Sequence, residues 1–303
     1  MSKKYNVAIL GYGEMGHAMQ ALLGNTHHLT FWDIRPQAGV SELSLELIIP
    51  SADFVFFCLP VNPHKEIISL VKPLLKADSI CVSIAKGLDE SGQTAAQVFQ
   101  QVLQDQHAYA LVYGPMISEE LRIGRYGFAQ LGCLQNEACQ KTLELFANSQ
   151  LYLEPTTDIT GISWSVILKN VYAMLFGMAD ELMLGDNMRG FLAVESVREL
   201  DSIVSTMGGK SASPYHLAGL GDLITTATSE SSHHHSLGRQ LAIGNRENIA
   251  GEGVHTLTMV EKHKLFNMQS FPLFALIHKV INEPVDIEKH VLNYVKQRAT
   301  LNQ

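Results

Sequence analysis

Short apolar runs recur through the first half of the chain, at Val7-Ala8-Ile9-Leu10, Phe54 to Leu59, Ser79 to Ile84 and Ala108 to Tyr113, and stretches of helical spacing separate them. Runs without polar alternation are what strands covered on both faces require, so they predict a parallel sheet wrapped by helices. Pro60 ends the second run, Leu29 to Trp32 adds a strand after the first helix, and Phe128 to Cys133 and Leu151 to Leu153 complete the set. The pattern changes near Glu154-Pro155-Thr156-Thr157. From Asp158 to Leu184 the chain is long, apolar and helical in spacing, with Thr157 or Asp158 as N-cap, and beyond Asn187 helical patterns continue with almost no strand signal. The expected architecture is α/β: a doubly wound parallel-sheet domain over residues 1–155, then an all-α substrate domain over 156–303. Lys169, Asn170, Asp180 and Glu181 interrupt the long helix, which reads as a buried core helix and not as a membrane span.

The first strand runs into Gly11-Tyr12-Gly13-Glu14-Met15-Gly16, then a helix, then a second strand that ends on Asp33. This is a dinucleotide-binding fingerprint in the context it requires, and it marks the first domain as Rossmann-like. Gly11 permits a tight turn, Gly13 lets the backbone approach a pyrophosphate, and Gly16 lets the helix pack on the strand. The free N–H groups of the helix start face the anion. Asp33 stands where a carboxylate accepts from a ribose 2′-hydroxyl and repels a 2′-phosphate. NAD is therefore the expected cofactor, with NADP kept open by Arg35, whose side chain could turn toward that phosphate.

Composition narrows the class. A chain of 303 residues exceeds the usual size of one core. The formal charge of −8 and the absence of a basic stripe argue against a nucleic-acid partner, and no membrane partner is indicated. The start, Met-Ser-Lys-Lys-Tyr-Asn, leads directly into a strand without a signal-peptide h-region, so cytoplasmic residence is the expectation. Cys58, Cys81, Cys133 and Cys139 lack paired spacing and read as reduced packing residues, with neither zinc nor disulfides expected. Consecutive side chains such as His233-His234-His235 rarely converge on one ion, and His216 is the only nearby further candidate, so no metal is expected and the run reads as a polar loop at a pocket mouth. A homodimer is compatible with the chain, although the sequence does not fix the assembly.

Two lysines and an acid carry candidate chemistry. Lys86 follows the Ser79 to Ile84 strand at its carboxyl end, where open α/β sheets bind ligands. Lys169 lies in the middle of the apolar helix, where an ammonium is costly unless partnered, and a lysine so placed is a ready general acid or base. Asp222 sits in the glycine-flanked turn Gly219-Leu220-Gly221-Asp222. It could cap the next helix, or aim a carboxylate at Lys169.

These motifs, taken in order, resemble the bacterial-type NAD(P)-dependent glycerol-3-phosphate dehydrogenases, whose helical domain is similar to that of 6-phosphogluconate dehydrogenase. The matching segments are Gly11 to Gly16, Ala85-Lys86-Gly87-Leu88, Gly114-Pro115 with Glu120, Leu168-Lys169-Asn170-Val171, Gly185-Asp186-Asn187, Ala218 to Leu223, and Glu252-Gly253. The resemblance implies interconversion of sn-glycerol 3-phosphate and dihydroxyacetone phosphate in a cleft between the domains, with Lys169 as proton acceptor and Lys86 and Asp222 as substrate-side partners. It further implies cofactor contacts at Glu14, Met15, Lys86, Ser118 and Glu252, and a substrate pocket lined by Gly114 and Met116. A place in glycerol-3-phosphate metabolism and phospholipid biosynthesis follows.

The departures fall on the substrate grip. Where the family carries Ser-Arg-Asn, this chain has Ser232-His233-His234, and the bidentate arginine is gone. Met116 replaces a small hydroxyl or amide residue, Ser118 stands where alanine is usual, and Val194-Glu195-Ser196 aligns with Thr-Arg-Gly. The chemistry thus transfers better than the substrate. A related dehydrogenase for another small hydroxy compound is the alternative, as is an NAD(H)-binding regulator without turnover. The retention of Lys86, Lys169 and Asp222 speaks against the regulator.

Overall fold

The computed structural model describes residues 3–35, 44–229, 232–245, 247 and 249–301. The elements in order are β1 (Asn6–Leu10), α1 (Glu14–Leu23), β2 (His28–Trp32), α2 (Leu45–Ile48), β3 (Phe54–Phe57), α3 (His64–Val71), β4 (Ile80–Ser83), α4 (Ala95–Leu103), β5 (Ala108–Tyr113), α5 (Ser118–Arg122), β6 (Gly127–Gly132), α6 (Asn136–Phe146) and β7 (Leu151–Thr156). There follow α7 (Ile159–Glu181), α8 (Asp186–Thr206), α9 (Asp222–Thr228), α10 (His233–Ala242), α11 (Glu252–His263), α12 (Pro272–Asn282) and α13 (Ile287–Leu301). Contacts divide the chain into two compact units, Met1–Ser163 and Trp164–Gln303, so the division falls inside α7. The change of pattern near residue 155 marks where strand character stops.

The first unit is a seven-stranded sheet in the order β2-β1-β3-β4-β5-β6-β7. Every residue of β3 and β4 is buried, which is why both read as unbroken apolar runs. Alternation sorts them by face. Val7, Ile9, Phe54, Phe56, Ile80 and Val82 join α1 and α6 in one core layer, while Ala8, Leu10, Val55, Phe57 and Cys81 join α2, α3 and α4 in the other. The sheet is parallel from β2 through β5, but β6 runs antiparallel to β5, and β7 is parallel to β6. The expectation of a parallel sheet therefore stops at β5. Its reversal has a local cause: the Gly114-Pro115 break turns the chain so that Phe128 N donates to Pro115 O at 3.1 Å. A side chain at Gly114 would collide with the Phe128 carbonyl, so only glycine lets the returning strand come this close.

The described residues of the second unit contain helices and no strand. Its centre is α7, which by length and a mean hydropathy of 1.3 could cross a membrane, yet its most apolar window is 94% buried against the protein itself. Two devices fix the neighbours of α7. Gly177 and Gly238 face each other where α7 and α10 cross, each lying against the other helix's backbone. Glu199 of α8 accepts from Tyr172 Oη on α7 at 2.9 Å and from the backbone N–H groups of Leu273 and Phe274 at the start of α12, at 2.8 and 2.5 Å. Burial raises the Glu199 pKa, an effect that those three donors only partly offset.

Candidate active site

The glycine turn in the first unit has the shape the fingerprint implies. Gly11 takes a φ of +95°, and a Cβ there would sit 2.5 Å from the Cys58 carbonyl. A Cβ on Gly16 would strike Gly11 O, whereas one on Gly13 would meet nothing within 4 Å, leaving bare backbone beside open space at the start of α1. Gly13 caps α1 without a side-chain hydrogen bond. This cradle fits a dinucleotide pyrophosphate. Asp33 helps to build it, since Oδ2 accepts from Tyr12 N at 2.8 Å and Oδ1 from Arg35 N at 2.9 Å. Glu14 turns outward to Arg122 Nη1 at 3.0 Å, with Ser118 Oγ at 3.5 Å, and so ties α1 to α5. Met15 is half-buried against the core beneath.

Lys86 leaves the carboxyl end of β4 and donates from Nζ to Gly114 O at 3.3 Å. Met116, expected to line the substrate pocket, is instead packed in the first core layer at 6% exposure. Past Pro115 the chain turns inward, and an unbranched apolar side chain fills that space.

In the second unit the lone lysine finds its partners. Lys169 Nζ lies 3.1 Å from Asp222 Oδ2, with side-chain exposures of 6% and 4%. It donates to Thr226 Oγ1 at 2.6 Å, and that hydroxyl donates in turn to Asp222 O at 2.7 Å. Asp222 opens α9 after a single π turn at Leu217–Gly221, and Thr226 lies one helical turn further on the same face. The ammonium is thus held by one charge and one oriented lone pair. Sequence reasoning named Lys169 and Asp222 but missed Thr226, whose only signal was its spacing of four from the acid. Asn170, next to the lysine, donates to Glu252 Oε2 at 2.9 Å, so Glu252 at the start of α11 is joined to α7.

The histidine run is not the polar loop its composition suggested. Ser232 caps α10, accepting from His235 N at 3.3 Å, and the three imidazoles form the first turn of that helix. His233 Nε2 donates to Ala250 O at 2.7 Å, and His234 Nε2 accepts from Gly253 N at 3.3 Å, so the pair fastens the approach to α11. His235 Nε2 bonds Asp180 Oδ2 at 2.7 Å. Asp180, which the sequence showed only as an interruption of the apolar helix, also receives Arg189 Nε at 2.6 Å; burial opposes its ionisation, but the bonds from Arg189 and His235 prevail and hold its pKa below the usual value. Three adjacent histidines therefore serve three separate partners.

With this geometry in place, comparisons with known proteins agree with one another. Residues 40–139 match the model of the NAD-dependent glycerol-3-phosphate dehydrogenase N-terminus, and residues 158–292 match that of its C-terminus. The glycerol-3-phosphate dehydrogenase [NAD(P)+] of Saccharophagus degradans is 26% identical, the alignment covering 95% of this chain and 89% of that one. Its counterpart in Gloeobacter violaceus is 28% identical over 91% of this chain and 92% of its own. The crystal structure of glycerol-3-phosphate dehydrogenase from Coxiella burnetii superposes with a TM-score of 0.83 at 23% identity, covering 96% of this chain and 99% of that one, and shares the fold. This chain is a member of the NAD-dependent glycerol-3-phosphate dehydrogenase family.

Proposed function

We propose that this protein interconverts sn-glycerol 3-phosphate and dihydroxyacetone phosphate, with Lys169 as the group that moves the hydroxyl proton. The observation that carries the reading is the buried Lys169, gripped by Asp222 and Thr226 on its own unit, a fixed placement that supports a proton-carrying role. Bound nicotinamide supplies the hydride, exchanged with the carbinol carbon. In the direction of reduction Lys169 Nζ gives a proton to the nascent alkoxide; in the direction of oxidation it takes one from the hydroxyl. Asp222 compensates the ammonium and fixes its aim, and Lys86 orients substrate oxygens from the carboxyl edge of the sheet. The direct test is oxidation of NADH with dihydroxyacetone phosphate beside a panel of unphosphorylated small ketones. Turnover confined to the unphosphorylated ketones would defeat the substrate assignment.

Asp33 sets the cofactor. NADH is expected to bind about tenfold more tightly than NADPH, the scale of one close charge repulsion. Asp33→Ser narrows that gap, as read by fluorescence titration of both cofactors. Equal affinities in the unaltered protein would mean that Arg35 overrules Asp33.

One observation favours a related substrate: His233, at the family's arginine position, already directs Nε2 to Ala250 O. A guanidinium is permanently charged and grips phosphate through two parallel N–H bonds, whereas this imidazole has one ring nitrogen left to offer. If the remaining nitrogen meets phosphate, His233→Arg restores a permanent, bidentate charge there and lowers KM for dihydroxyacetone phosphate. No gain from arginine would remove His233 from the phosphate and favour an unphosphorylated hydroxy compound.

A further inference from the structure

Buried His64 and Ser83 link the loop after β3 to the loop that carries Lys86, and neither residue is part of the chemistry described above. Both are 0% exposed. His64 Nδ1 lies 2.8 Å from Pro60 O, His64 Nε2 lies 2.9 Å from Ser83 Oγ, and Ala85 N donates to Ser83 Oγ at 3.2 Å. The carbonyl can only accept, so Nδ1 carries the ring hydrogen and Nε2 must accept from the serine. The serine lone pair then receives Ala85 N–H. One directed chain of hydrogen bonds thus runs from the loop after β3 to the residue immediately before Lys86.

We propose that His64 and Ser83 are positioning residues for Lys86, fixing the backbone from which its side chain reaches the substrate; this rests on the substrate-side role of Lys86 proposed above. Three features support the assignment. First, Val61, Ala85 and Ala95 form a small separate buried cluster, so the two loops pack on each other as well as sharing the hydrogen bonds. Second, Phe57 and Phe99 flank the imidazole, with ring centroids at 5.3 and 5.6 Å, and hold it in one orientation. Third, burial drives the His64 pKa down to about 4, against smaller opposing pulls from the hydrogen bond to Pro60 O and from the Asp89 carboxylate, so the ring keeps the neutral form that the chain needs across the working pH range. A buried imidazole that served packing alone would be replaceable by an apolar ring. Here both of its nitrogens and both roles of the serine hydroxyl are used in one direction, each donor pointing from the Lys86 loop toward Pro60.

The test is a double-mutant cycle in the full chain. Ser83→Ala removes the middle of the relay while keeping the strand, and it is expected to raise KM for dihydroxyacetone phosphate about 5- to 10-fold, the loss expected from one or two hydrogen bonds, with kcat changed less than about threefold and NADH affinity unchanged. In a Lys86→Ala background the same substitution should alter KM by less than about twofold, because residues that act through one another are not additive. His64→Phe, which fits the aromatic surroundings, should reproduce the pattern and provides the second variant if Ser83→Ala folds poorly. Equal factors in both backgrounds, or no effect of Ser83→Ala and His64→Phe beside a large effect of Lys86→Ala, would overturn the positioning role. If Lys86→Ala alone leaves KM unchanged, the fault lies instead with the substrate-side role of Lys86.

Discussion

Replacing Lys169 by alanine should lower turnover with NADH and dihydroxyacetone phosphate about 10²-fold or more, the usual scale for losing a positioned proton donor, with NADH affinity nearly unchanged. The substitution does two things at once. It removes the proposed proton carrier, and it takes away the ammonium that lies 3.1 Å from Asp222, whose side chain is 4% exposed. Breaking a buried ion pair by removing one partner costs about 3 to 5 kcal/mol, so Lys169→Ala should also be less stable. The two effects separate in Lys169→Ala with Asp222→Asn, which restores charge balance to the cavity. Stability should largely return while turnover stays low. Recovery of activity along with stability would reduce Lys169 to a structural ion-pair partner, and steady-state kinetics beside denaturant unfolding reads both quantities.

The second large effect is expected where two helices touch backbone to backbone. Gly238 of α10 lies on Met174 of α7, and Gly177 of α7 lies on His235 of α10; a Cβ at either position would enter the opposing carbonyl group. Helix propensity alone makes glycine to alanine stabilising by about 1 kcal/mol in a helix interior. Overpacking a tight core costs about 1 to 3 kcal/mol, occasionally more, and here the obstacle is backbone that cannot rotate away. Steric cost therefore outweighs propensity, and Gly238→Ala should destabilise by about 3 kcal/mol. The opposite signs make the test decisive: a midpoint that moves to higher denaturant would mean that the helices are free to separate at no cost. The substitution also displaces the first turn of α10, so the hold of His235 on Asp180 should be lost with it.

The parts of this fold legible in the sequence are those that burial on both faces writes into composition. β3 and β4 could be read because no residue in either touches solvent. The reversal at β6 could not, since a strand buried on both faces has the same apolar run whichever way it points. What decided it was the contact between Gly114 and Phe128, which joins residues far apart in pattern. At the site, Lys169 stood out as a charge on an apolar helix, and Asp222 as the acid at a glycine turn. Thr226 did not, because a threonine in a helix is ordinary until its hydroxyl is seen between a lysine and a carbonyl. Asp33 was recognised as the acid at the end of β2, but its grip on Tyr12 N was not, since backbone partners leave no trace in spacing. The histidines were hardest, for an imidazole takes its role from what it faces: Ala250, Gly253 and Asp180 lie at three different distances along the chain.

The turn of direction at β6 also divides the first unit's labour. Strands β1 to β5 deliver their carboxyl ends to one edge, where the glycine turn and the Lys86 loop lie, whereas β6 and β7 end at the opposite edge. The segment between β6 and α6 consequently lies at the edge away from the glycine turn and the Lys86 loop. Chain length there is free to drift: insertions or deletions around Leu134 and Gln135 leave the cofactor edge in register, while a single added residue between β1 and α1 would shift the whole cradle. Variation in this lineage should therefore gather at one rim of the sheet and spare the other.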